Sequence, residues 1–173
     1  RVPPSIDGFY WRVAVKKLTH LNKNGNVSMV DVGKKKTTKR GAIAVGKIKV
    51  QKELSEIIRK NDLPKGDLFS TAKIAGIFGA KQTYSLIPLC HPIIIDNVEI
   101  DISIEDEETL AVTAKVLSEG KTGVEMEALT AVSIACLTIY DMCKSFDKKI
   151  VIKEIYLLEK WGGKSGYFKN KKR

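Results

Sequence analysis

Residues 124–146, VEMEALTAVSIACLTIYDMCKSF, constrain this chain more than any other stretch. Glu125 and Glu127 stand at its front, Asp141 and Lys144 at its back, and residues 128–140 carry no charged side chain. Leu129, Val132, Cys136, Ile139 and Cys143 alternate spacings of three and four, which predicts one apolar stripe of a helix. Met126, Thr130, Ser133, Leu137, Tyr140 and Lys144 form a second, more polar stripe. Apolar residues on both stripes predict a helix buried on most sides. Asp141 and Lys144 are three apart, so their side chains can meet. Such a pair is either a helix-end ion pair or, where burial shifts both pKa values, an acid/base pair.

A helix of that kind needs a sheet or other helices to cover it. AIAVGKIKV reads as a β-branched strand, and QKELSEIIRKN as a short amphipathic helix through Leu54, Ile57 and Ile58. DLFSTAKIAGIFGAKQTYSLI reads as a helix rich in small residues, with Asp67 as its N-cap. Val98, Ile100, Ile102 and Ile104 alternate as a half-buried strand, and TLAVTAKVLSE returns beside it as a hairpin. KKIVIKEIYLLEK is a final strand, followed by the glycine-rich WGGKSGYF. Upstream, FYWRVAVKKL is a candidate strand and GKKKTTKR a basic connector. The order β-α-α-β-β-α-β predicts an α+β fold. With one helix set aside it is the ferredoxin-like split β-α-β sandwich, an antiparallel sheet with helices on one face. That architecture hosts many functions, so chemistry must be argued from sites.

A chain of 173 residues with 43% hydrophobic side chains is long enough for one domain with a substantial core. No uninterrupted apolar stretch approaches the roughly 20 residues of a membrane span, and no secretory signal pattern is visible. The net charge of +10 attracts anions: nucleic acid, acidic membranes or phosphorylated small molecules. Lys outnumbers Arg and aromatics make up 7%, so bidentate base reading and base stacking are poorly supplied. The strands VEIDISI and LAVTAKV carry aliphatics and acids where an RNA-binding sheet would need aromatics. Cys90, Cys136 and Cys143 form no CxxC, and His20 and His91 lie far apart, so no metal site is predicted. An odd cysteine count without a disulfide framework suits a reducing compartment, and Cys136 and Cys143 read as core.

Four loop motifs stand out. KTGVEMEAL leads into the long helix, whose first amides can receive an anion, although the Walker pattern is absent. IPLCHP holds His91 between prolines. LPKGD carries Lys65 in a turn. GGKSG is either a phosphate loop or a flexible end, and spacing favours the latter.

In order, SMVDVG, KGDLFSTAKIAGIFGAK, SLIPLCHPI, GKTGVEMEALTA, IYDMCK and GGKSG resemble the molybdenum-cofactor biosynthesis protein C family, the cyclic pyranopterin monophosphate synthases. The resemblance runs over about residues 18–168, leaving an N-terminal extension, 1–17, and a basic tail, 169–173. Tyr167 departs from an acidic residue common in the family.

The resemblance implies a lyase that rearranges a cyclised dihydroguanosine triphosphate (cyclic dihydro-GTP) to a pterin tricycle with a cyclic phosphate, releasing pyrophosphate. It implies Asp141 and Lys144 as the catalytic pair. Leu89, Cys90 and His91 match the family's substrate loop, Met126 and Glu127 its second binding segment, and Lys65 and Lys160 its other lysines. Arg40 lies in a basic stretch that approaches substrate, and Lys121 and Glu125 are nearby candidates. The resemblance further implies a homo-hexamer built as a trimer of dimers, with sites at subunit interfaces. That would explain why Lys65 and His91 fall on segments remote from Asp141. It implies a functional link to a radical SAM GTP cyclase and no nucleic-acid or membrane partner. No cofactor is required, and Mg²⁺ can accompany the triphosphate. The expected compartment is the cytoplasm, or mitochondria for a eukaryotic source.

Overall fold

A computed structural model describes residues 25–171. The chain divides into a short unit, Arg1–Val30, and a main unit, Asp31–Arg173. The elements described below all belong to the main unit. The candidate strand FYWRVAVKKL and the extension 1–17 lie outside the described residues.

β1 (Thr38–Lys49) is followed by α1 (Lys52–Arg59), α2 (Leu68–Lys81) and the single turn α3 (Thr83–Leu86). β2 (Asn97–Ile104) and β3 (Thr109–Gly120) form the predicted hairpin. α4 (Glu125–Cys143), β4 (Val151–Trp161) and the two-residue β5 (Phe168–Lys169) complete the chain. The sheet order is β2-β3-β1-β4-β5, and every pairing is antiparallel. This is the ferredoxin-like order with a short fifth strand added, and the α+β expectation holds.

Several expectations need correction. The basic connector is partly strand, since β1 begins at Thr38. The segment read as one helix breaks at Gln82 into α2 and α3. The glycine-rich end is not a loose tail: it turns and returns as β5 against Glu159 and Lys160. By length and hydropathy α4 would also pass for a membrane span. Just over half of it is instead buried, with Ala128, Val132, Cys136 and Ile139 in the core against the sheet and α2.

The core lies between the sheet and the α2–α4 pair. Ala42, Ala44 and Ile48 of β1 and Val112, Ala114 and Val116 of β3 are fully buried, facing Val132, Cys136 and Ile139 of α4. Each large aliphatic side chain so buried contributes about 1.5–3 kcal/mol. α2 approaches α4 closely because it carries glycines at the contact. A methyl group on Gly76 would stand 2.9 Å from the Ala131 carbonyl, and one on Gly79 would stand 2.7 Å from Ile134 Cγ1. Asp67 caps α2 as predicted, accepting from the Ser70 amide at 3.0 Å.

The second stripe of α4 is the outward one. Met126, Leu137 and Tyr140 are exposed, as are Ile74 and Phe78 on α2. The prediction of a helix buried on most sides therefore fails at Met126, Leu137 and Tyr140, while Thr130 of the same stripe is buried.

Candidate active site

The predicted site residues collect at the two ends of α4. At its C-terminal end, Lys144 Nζ donates to Asp141 Oδ1 at 2.6 Å, and Lys65 Nζ donates to the Asp141 carbonyl at 3.0 Å. Lys65 comes from the turn between α1 and α2, so the chain itself brings this lysine to Asp141 with no neighbouring copy. Cation placement at a helix C-terminus also satisfies the negative end of the helix dipole.

The pair is not buried: the Lys144 and Asp141 side chains are 54% and 65% exposed. The hydrogen bond from Lys144 and then its charge, with a further contribution from Lys65, hold the Asp141 carboxyl below its ordinary range. The same hydrogen bond and the Asp141 charge raise Lys144. Burial is therefore not what perturbs this pair. Asp141 is an ionised carboxylate at neutral pH, and Lys144 an ammonium beside it.

The N-terminal end of α4 is built differently. Lys160, on β4, donates to Glu125 Oε1 at 2.7 Å, and both side chains are only about a quarter exposed. Ser165 Oγ lies 3.5 Å from the same ammonium. Arg40, on β1, donates from Nε to the Gly120 carbonyl at 2.9 Å and from Nη2 to the Lys121 carbonyl at 3.3 Å. Lys121 Nζ in turn reaches the Gly33 carbonyl at 3.0 Å. His91 lines a cleft with Lys121, Thr122 and Pro92.

Glu127 is 3% exposed, and its Oε2 has no hydrogen-bond partner among the described residues. Burial pushes its carboxyl from 4.5 to about 7, with the Glu125 charge adding to the effect. Cys90 lies near enough for the Glu127 charge to be felt at its thiol. Burial first, and then that charge, push the thiol up, opposite to what a thiolate nucleophile needs. Leu89 precedes Cys90 in the same loop and is half-buried, while Met126 is exposed one residue before Glu127.

One end thus gathers Arg40, Leu89, Cys90, His91, Met126, Glu127 and Lys160, and the other gathers Lys65, Asp141 and Lys144. Glu127 and Asp141 are fourteen residues apart on one helix, or about 21 Å at the helical rise. Among the described residues, no group of three His, Cys, Asp or Glu is placed to hold a metal ion.

Sequence reasoning did not find Asp147. It is 2% exposed and accepts from the Gln51 amide at 2.9 Å, the Gln51 side chain at 2.7 Å and the Lys149 amide at 2.7 Å. It ties the start of α1 to the turn after α4, but nothing in SFDKK distinguishes that acid from a surface one.

Residues 29–163 match the MoaC family model. A relative from Brevibacillus brevis named cyclic pyranopterin monophosphate synthase is 49% identical over 88% of this chain and 95% of its own length. Relatives with the same name from Desulfatibacillum aliphaticivorans and Clostridium perfringens are each 51% identical, over 88% of this chain and 96% and 97% of their own lengths. Among solved structures, the extracellular region of zebrafish Gpr126/Adgrg6 aligns at 14% identity and a TM-score of 0.25, covering 78% of this chain and 15% of that one, and bears on nothing here. On the family model and these three relatives, the chain belongs to the MoaC family and to its cyclic pyranopterin monophosphate synthases.

Proposed function

We propose that this chain acts in molybdenum-cofactor biosynthesis by converting cyclic dihydro-GTP to cyclic pyranopterin monophosphate with release of pyrophosphate. The observation that carries the chemistry is Asp141 held between Lys144 and Lys65. Opening a purine-derived ring and closing a pterin ring need repeated proton transfers. An ionised carboxylate can take a proton and return it. Lys144 keeps Asp141 ionised between turnovers. Lys160 and Arg40 offer cations to the phosphates, where negative charge develops as pyrophosphate leaves. Any Mg²⁺ travels with the triphosphate as part of the substrate.

The separation of the two ends supports a site assembled from two copies, in the proposed hexamer of three dimers. One copy cannot bring Asp141 and Glu127 to one small substrate across about 21 Å. A second copy, docked with its C-terminal cluster against the first copy's N-terminal cluster, does. Ile74, Phe78, Leu137 and Tyr140 leave an apolar helical surface for such contacts. Docking would also remove water from Asp141, Lys144 and Lys65, where their charges would act more strongly. The substrate would come from a radical SAM enzyme acting on GTP.

The test is incubation of the purified protein with cyclic dihydro-GTP, following pyrophosphate and the pterin product. Turnover by the parent, with Asp141→Asn and Lys144→Ala nearly dead, upholds the reading. Full activity in both variants returns the pair to a structural ion pair, and no turnover by the parent overturns the proposal.

A further inference from the structure

The GGKSG segment has no assigned role, and its geometry points to one. We propose that Gly163 is a positioning residue that seats the Arg40 guanidinium. Through Arg40 it fixes the backbone leading into the N-terminal turn of α4. The inference rests on the reading above that this end of α4 meets substrate.

After Trp161 the chain leaves β4 and folds over the start of β1. It can lie this close only because side chains are missing on both sides. A methyl group on Gly41 would fall into the Trp161 indole. One on Gly162 would fall on the Lys39 carbonyl and stand 3.1 Å from Arg40 Cα. One on Gly163 would land on the Arg40 guanidinium, 2.7 Å from Cζ and 2.8 Å from Nη2. Gly162 and Gly163 have φ of +89° and +68°, which L side chains rarely adopt. The Gly166 amide donates back to the Gly163 carbonyl at 3.2 Å and closes the turn.

The other side of the guanidinium faces the end of β3. Its Nε and Nη2 hold the carbonyls of Gly120 and Lys121, as described above. Arg40 is therefore clamped between the turn and these two carbonyls. Lys121 lines the His91 cleft, and four residues on is Glu125, which takes Lys160. A group that displaces the guanidinium breaks its hold on the Gly120 and Lys121 carbonyls and loosens the approach to Glu125 and Glu127. A fork donor is needed, since two carbonyls on successive residues are held at once.

A double-mutant cycle separates this role from plain backbone strain. Gly163→Ala adds both a strained φ and a collision with Arg40. In an Arg40→Ala background the strain remains and the collision is gone. Arg40→Lys, which keeps the charge and loses the fork, is the second background should Arg40→Ala fold poorly. For each protein, the unfolding midpoint and the kcat and KM for cyclic dihydro-GTP are measured.

The expected result is a KM about tenfold higher for Gly163→Ala in the Arg40 parent, with kcat little changed. The same change should have less than about a twofold effect in either Arg40 variant. Its destabilisation should also be larger with Arg40 present. Equal kinetic effects in all backgrounds, or additive stability losses, overturn the inference. If the parent does not turn over the substrate, the proposed function fails. The stability cycle then decides alone, coupling upholding the seat and additivity removing it.

Discussion

The two ends of α4 solve opposite problems with the same residue types. At the N-terminal end, acids are desolvated and lysine is paired inside the protomer, so Glu127 is pushed up to about 7 and Lys160 is held by Glu125. At the C-terminal end, the Asp141–Lys144 pair stands in water, and ion pairing rather than burial pulls the acid down. Burial and pairing act on a carboxyl with opposite signs, and one helix displays both. The buried end is shaped in advance by its own chain. The exposed end is a charged cluster held by ion pairs in water.

The sharpest way to break the comparison is to remove the exposed acid. Asp141→Asn should lower kcat by about 10²–10⁴-fold, as loss of a positioned acid/base group does, measured as pyrophosphate release from cyclic dihydro-GTP. Combining the two ends tests whether they cooperate across copies. Asp141→Asn and Lys160→Ala, each inactive alone, should regain activity when co-assembled. Random pairing leaves about one quarter of two-chain sites intact. No regained activity from verified mixed oligomers would place each site within one chain.

Next comes the buried acid. Glu127 has its folded pKa raised from 4.5 to about 7, so the unfolded chain gives up this proton first. Its presence therefore lowers stability progressively as pH rises from about 4.5 to 7, and the full cost persists above that window. Glu127→Gln removes the dependence. Relative to the variant, the parent should lose on the order of 3 kcal/mol across that window, read from denaturant unfolding at each pH. A pH-independent difference would mean that Glu127 is not desolvated.

The α2–α4 contact, which packs along the helix joining the two ends, allows a smaller test. Gly76→Ala should cost about 1–3 kcal/mol through overpacking against the Ala131 carbonyl, in the same unfolding experiment. The smallest effect is on the acid limb of the kcat/KM profile. Since Lys144 is the main cause of the lowered Asp141 pKa, Lys144→Ala should move that limb upward towards the ordinary carboxylate range in whatever activity remains.

Much of the fold was legible because its signals are local. Alternation through Val98, Ile100, Ile102 and Ile104 is a property of adjacent residues, as is the Asp67 cap, and both were found where expected. The Asp141–Lys144 pair was legible for the same reason, being three apart on a helix. What pattern could not supply was which stripe of α4 faces water, since both carry apolar residues and only packing against the sheet and α2 decides. Nor could it show that Lys65 meets Asp141 across 76 positions, or that Lys160 meets Glu125 across 35. Those meetings belong to the sheet order. The ordered turn after Trp161 was misread because glycine permits disorder and unusual backbone shapes equally, and only its partners distinguish them.

That sheet order also governs how the molecule can be made. β1 precedes the other elements of the sheet in the chain, yet it ends as the central strand, paired to β3 on one side and β4 on the other. Thr38 finds Gly120, and Gly41 finds Trp161, only after most of the chain has emerged. Loop-closure entropy must be met before those long-range pairings give anything back, so folding should be slow for this size. Until then both edges of β1 are open to other strands, including those of neighbouring nascent chains. Arg40, Lys160 and the start of α4 come together only when the last long strand arrives. A ribosome-bound intermediate short of β4 has already made Lys65, Asp141 and Lys144 but lacks Lys160, and with it the partner that holds Glu125.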